Sequence, residues 1–80
     1  MKVRVYVALR HGVHDPQGEA IERALSQLGM REITSVKACK FFDLEIEGTK
    51  EQAHRTAAAA AEKLLANTVI EKFWVEDPSE

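Results

Sequence analysis

From Val36 to Glu47 the chain contains no glycine, proline or asparagine, and that limits its possible folds more than any other feature. A tight hairpin needs a residue that adopts φ > 0 or a pre-set turn, and this stretch supplies neither. Even positions read Val36, Ala38, Lys40, Phe42, Leu44 and Ile46; odd positions read Lys37, Cys39, Phe41, Asp43, Glu45 and Glu47. This alternation is that of a strand with one apolar and one mixed face. A ferredoxin-like β-α-β-β-α-β order would need a turn near Cys39-Lys40. One long strand, straight or bent, from about Ser35 to Glu47 is expected instead. A strand of roughly 13 residues exceeds the usual 3–10. Its neighbours in an 80-residue chain are too short to pair along all of it. A second subunit is the simplest partner for the leftover N–H and C=O groups.

The remaining elements follow from local pattern. Lys2 to Leu9 alternates, with Val3, Val5, Val7 and Leu9 on one side and Lys2, Arg4, Tyr6 and Ala8 on the other, so a strand is expected. Gly12 suits φ > 0 at its end. Asp15 is placed to cap a helix that opens with Pro16, whose missing N–H costs nothing there. Gly18 inside the first turn costs about 1 kcal/mol relative to alanine, which implies that another group approaches its backbone closely. Helix Pro16–Leu28 carries Ala20, Ile21, Ala24, Leu25 and Leu28 at helical spacing and stops at Gly29. Gly48-Thr49 opens a second helix, Thr49 and Gln52 forming a capping box. Its apolar stripe is Ala53, Ala57, Ala60, Ala61, Leu64 and Leu65. Asn67 is expected in the left-handed position that closes it. Val69–Glu76 reads as a last strand, terminated by Asp77-Pro78.

The expected architecture is a single α+β domain over residues 1–80, a two-layer sandwich of order β-α-β(long)-α-β. Two helices lie on one face of a mainly antiparallel sheet. Val3, Val5, Val7, Phe42, Leu44 and Ile46 should face the helices. On the other face Arg4 and Lys2 balance Asp43 and Glu45 across strands. Tyr6, Ala8, Cys39 and Phe41 share that side with Ile70 or Trp74, and an exposed apolar face marks a contact surface. Tyr6, Cys39, Phe41 and Trp74 are therefore the residues expected to mediate self-association into a sheet-mediated homodimer, with a tetramer left open. A small chain with 45% hydrophobic residues commonly gains stability by such association.

Charge narrows the partners. A net charge of −2 argues against nucleic acid or an anionic membrane surface. One cysteine cannot form an intrachain disulfide and suits a reducing compartment. No signal-like or membrane-spanning segment stands out, so a cytoplasmic protein is expected. His11 and His14 with Asp15 match zinc spacing poorly, and no metal site is expected. Cys39 lacks a base, and Asp43, Glu45 and Glu47 read as a solvated strand face. His54 reads as surface. No catalytic residues are expected in this chain. The segment Arg10, His11, Gly12, Asp15, Pro16, Gln17 and Gly18 combines helix-start N–H groups with basic neighbours, which suits the docking of a partner's acidic group.

Three stretches carry a family resemblance: Val3-Arg4-Val5-Tyr6-Val7 running into Gly12-Val13-His14-Asp15-Pro16-Gln17-Gly18; Val36-Lys37 with Lys40-Phe41-Phe42-Asp43-Leu44; and Lys63-Leu64-Leu65-Ala66-Asn67 with Val69-Ile70-Glu71. The chain resembles the PurS family from about Met1 to Glu76. It departs from the family at Cys39, where glycine is usual, and at Thr68, where proline is usual. The resemblance implies a non-catalytic but required subunit of phosphoribosylformylglycinamidine (FGAM) synthase, the ATP- and glutamine-dependent amidation of formylglycinamide ribonucleotide in purine biosynthesis. It implies a homodimer that bridges a large synthetase subunit, PurL, and a glutaminase subunit, PurQ, and supports ammonia transfer between them. No cofactor is implied in this chain; ATP and Mg are used by the complex on the large subunit. The alternative is a small ligand-sensing domain similar to the ACT type, which also places a glycine in its first strand-to-helix loop but needs a central hairpin. An RNA-binding α/β sandwich fails on charge.

Overall fold

The computed structural model describes residues 1–80, in the order β1 (Lys2–Leu9), α1 (Pro16–Gln27), β2 (Lys40–Glu45), α2 (Lys50–Ala60), a π-helical turn (Ala61–Leu65) and β3 (Glu71–Val75). The sheet has three strands in the order β2-β1-β3, all antiparallel. Val3 lies opposite Leu44, Val5 opposite Phe42 and Val75, and Val7 opposite Phe73. The face these residues share is apolar through its middle, as the alternation requires, and carries Lys40 and Glu71, 3.6 Å apart, at one end.

That face receives α2. Ala53, Ala57 and Ala61, four apart, are fully buried against Val3, Val5 and Val7. Alanine combines high helix propensity with the smallest stem, so the helix axis can sit close to the valines. Each buried valine contributes about 1.5–3 kcal/mol. Phe42, Leu44, Ile46, Leu65, Phe73 and Val75 close the margins of the core. The capping box forms: Thr49 Oγ1 accepts from Gln52 N–H at 3.2 Å and Gln52 Oε1 accepts from Thr49 N–H at 2.8 Å.

The helix does not end as its sequence suggests. The Ala66 N–H bonds Ala61 C=O in a five-residue step. The next buried alanine after Ala61 is therefore Ala66, and Leu64 is rotated out to solvent, 84% exposed. Asn67 is not left-handed, since only glycines have positive φ. It closes the turn with other atoms: its side chain accepts from Val69 N–H, and its C=O accepts from Ile70 and Glu71 N–H. These bonds turn the chain through Val69 and Ile70, so β3 starts at Glu71, two residues later than the periodicity indicates.

Two features depart from a closed sandwich. The ladder of β2 covers Lys40–Glu45 and not the whole of Ser35–Glu47. No turn or bend interrupts Ile33–Cys39, but the β1–β2 ladder stops at Val7 opposite Lys40, so no strand of the same chain is paired with that segment. And α1 buries only Gly18; Ile21 and Leu28 of its apolar stripe are 40% and 74% exposed. The sheet-covering role falls to α2 alone. The radius of gyration, 15.8 Å with extents of 49 × 27 × 14 Å, exceeds the about 12 Å of a compact chain this long.

Candidate functional site

The segment from Arg10 to Gly18 is held by bonds within the chain. Gly12, at φ 86°, makes the turn out of β1. Arg10 N–H donates to Ile70 C=O at 2.8 Å, and its guanidinium donates through Nε and Nη2 to Thr68 C=O at 3.1 and 2.9 Å. A cation on the loop that follows α2 complements the negative end of that helix. Asp15 is bonded on both sides: Oδ1 accepts from Gly18 N–H and Oδ2 from Ala38 N–H, each at 2.9 Å. These two backbone donors, Gly18 first, hold the Asp15 carboxyl below its ordinary 3.8. The close approach expected at Gly18 is the Val36 carbonyl, which leaves no room for a Cβ.

The N-terminus of α1 is therefore filled by the chain's own carboxylate, and Arg10 and Asp15 spend their polar atoms on the fold. His11, Gly12, Pro16 and Gln17 remain exposed. His14 Nε2 lies 3.6 Å from Glu19 Oε2 in the first turn of α1. A cleft of about 220 Å³ separates the loop from Lys37, Ala38 and Cys39. Cys39 itself is exposed.

The second surface is the sheet face opposite α2. Register places Tyr6 between Phe41 and Trp74, so three aromatics form one row across all the strands. Tyr6 stacks on Trp74 with centroids 5.2 Å apart and meets Phe41 at 6.1 Å, tilted by 56°. Phe41 is 51% and Trp74 46% exposed. The next row is charged: Arg4 donates from Nε and Nη2 to the two carboxylate oxygens of Asp43 at 2.8 and 3.1 Å, and lies 4.0 Å from the centroid of Phe41. The pairing holds Asp43 below the ordinary carboxylate value and raises Arg4. Tyr6 Oη donates to Glu76 at 3.1 Å. A groove of about 550 Å³ runs along this end of the face.

Of the residues expected to share the contact face, Tyr6, Phe41 and Trp74 do form one patch; Ile70 sits in the turn before β3. Exposed Leu64 and Val69 escaped the sequence reading, because the extra residue of the π turn shifts the helical phase and nothing in the alanine run marks where. On the sheet face Arg4 pairs with Asp43 and Tyr6 with Glu76, so both surfaces offer mainly shape and apolar contact.

The comparisons with known proteins agree along the chain. The family model described as PurS, phosphoribosylformylglycinamidine (FGAM) synthase, matches residues 2–78. The PurS subunit of phosphoribosylformylglycinamidine synthase from Archaeoglobus fulgidus is 46% identical over 72 residues, covering 89% of this chain and 90% of that protein. The corresponding subunit from Bacillus subtilis is 41% identical over 75 residues, covering 94% and 89%. A chain of the solved PurLQS structure from Thermotoga maritima superposes with a TM-score of 0.87 at 35% identity, over 96% of this chain and 95% of that one. With the aromatic row, the capped loop and the three-stranded sheet all falling inside the matched span, this chain belongs to the PurS family.

Proposed function

We propose that this chain is the non-catalytic subunit of an FGAM synthase, working as one domain over residues 1–80, self-associating and bridging a large synthetase subunit and a glutaminase subunit so that ammonia passes between them. The observation that carries this reading is the match to PurS relatives over almost the full length, including a chain of the Thermotoga maritima PurLQS assembly. The geometry supports it, because the conspicuous surfaces are an exposed aromatic sheet face and a braced loop rather than a lined catalytic pocket. In this reading ATP and Mg are bound by the large subunit, and the complex works in the cytoplasm.

Within it, Tyr6, Phe41, Trp74 and neighbouring Cys39 form the self-association face. The loop presents exposed His11, Gly12, Pro16 and Gln17 to a partner subunit, with Arg10, Asp15 and Gly18 bracing it from behind. The test is to mix the purified chain with the large and glutaminase subunits and ATP, and to measure glutamine-dependent FGAM formation. Omitting this chain should abolish most glutamine-dependent product while ammonia-dependent synthesis by the large subunit survives. Equal glutamine-dependent rates with and without it would remove the reading.

A further inference from the structure

The ladder between β1 and β2 stops while β1 still has a residue to offer. Met1 and Ile46 exchange both backbone bonds, at 3.0 and 2.9 Å. In an antiparallel pair such bonded positions recur at every second residue, which here are Val3 with Leu44, Val5 with Phe42 and Val7 with Lys40. The next in the same register is Leu9 with Ala38, and Leu9 belongs to β1, opposite Glu71 of β3. On the β3 side the bonding runs on to Arg10, whose N–H donates to Ile70 C=O. On the β2 side no backbone bond joins Leu9 to Ala38. The Ala38 N–H, which the alternation of an extended strand aims at β1, donates instead to Asp15 Oδ2 at 2.9 Å. The other oxygen of that carboxylate holds Gly18 N–H in the first turn of α1. Leu9, Asp15 and Ala38 line the cleft of about 220 Å³ left between the loop and the segment.

We propose that Asp15 is a stop inserted at the end of this ladder, and that Ser35–Cys39 is a strap it holds open. With the carboxylate withdrawn, Ala38 N–H turns to Leu9 C=O, Leu9 N–H turns to Ala38 C=O, and the cleft closes. The segment is otherwise ready to pair. It is free of turns and bends from Ile33 to Cys39, and its register is already set by the six pairs from Lys2–Glu45 to Val7–Lys40. The stop also has a handle. One carboxylate holds the first turn of α1 and the strap together, so the strap follows the helix. A partner that turns α1 away from the sheet draws Asp15 out of the ladder and favours the closed strap. A partner that fixes α1 where it stands keeps the strap open. In either case the shift comes from preferential binding to one of two arrangements of the same backbone groups.

The experiment has to separate the stop from the helix cap that Asp15 also provides. Asp15→Ser does so: serine caps a helix about as well as aspartate, but it offers one oxygen in place of two, so Gly18 keeps its acceptor and Ala38 loses its own. NMR of the isotope-labelled full chain at pH 7 reads the result through scalar couplings across hydrogen bonds, which identify the acceptor of each amide. In the wild type the Ala38 nitrogen should couple to no backbone carbonyl, and the Leu9 amide should exchange freely. In Asp15→Ser the Ala38 nitrogen should couple to the Leu9 carbonyl carbon, and Leu9 exchange should slow by about tenfold, the protection given by one ladder-end bond. Asp15→Ala, which removes the cap as well, should show the same coupling with a more frayed α1. A Leu9–Ala38 coupling already present in the wild type overturns the proposal. So does an unprotected Leu9 amide in Asp15→Ser with α1 intact, or in both variants.

Discussion

Asp15 and Gly18 show how much structure two residues can govern. The carboxylate satisfies one donor at the start of α1 and one on the segment leading to β2, and Gly18 lets the Val36 carbonyl pass where a side chain would stand. In Gly18→Ala the helix gains about 1 kcal/mol of propensity, but the added methyl meets a backbone oxygen that cannot rotate away. The expected outcome is a net loss of about 1–2 kcal/mol, the overpacking cost exceeding the gain, read as a lower urea midpoint. Asp15 also sets a pH dependence. Its folded value lies below 3.8, so its stabilisation is complete above about pH 4 and is lost as the pH falls through the folded value. Asp43, held by Arg4, acts in the same direction. Asp15→Asn, which leaves one of the two N–H groups, of Gly18 or Ala38, facing an amide NH2 instead of an acceptor, should have a lower Tm at pH 7 and a shallower fall in Tm between pH 4 and 2. The cap and the glycine were readable from the sequence because each answers a local backbone need. The second bond of Asp15, to Ala38, was not, because it joins segments that only the fold brings together.

At the scale of elements, β1 and α2 follow from period alone: alternating valines and alanines four apart leave one solution for the face they share. Ala57, the middle of the three alanines with no exposed surface, lies at the centre of that contact. Ala57→Leu should destabilise the chain by about 1–3 kcal/mol or more through overpacking. Ala59→Leu, on the exposed side of the same helix, should change stability by less than about 0.5 kcal/mol. Thermal melts of the two variants side by side separate packing from propensity. The π turn was hidden because an alanine run has no feature by which a one-residue insertion could be located; the phase shift becomes visible only when Ala66, not Leu65, is found buried. Asn67 misled for a related reason. Its side chain can close a helix either in the left-handed conformation or by accepting from a following N–H, and here the second won.

For the whole molecule, the absence of turn residues between Val36 and Glu47 correctly excluded a hairpin, and the six-residue ladder shows what an isolated chain can cover by itself. Ser35–Cys39 continues unpaired beyond the last ladder pair, Val7 with Lys40. Hydrogen exchange should show this division. Amides of Val3, Val5 and Val7 are expected to be the slowest, and those of Ser35–Cys39 fast in dilute protein, Ala38 excepted. Raising the concentration through the association range should slow the second group if a neighbouring copy supplies the missing ladder; unchanged rates would place the contact elsewhere.

The double bond made by Asp15 has a mechanical consequence. A helix that projects from a thin sheet through a flexible joint would swing, and anything resting on it would lose its bearing on the rest of the molecule. Tied on one side to its own first turn and on the other to the segment that becomes β2, α1 is a cantilever with a fixed root. A load at its tip is transmitted into the strands instead of being absorbed at the loop.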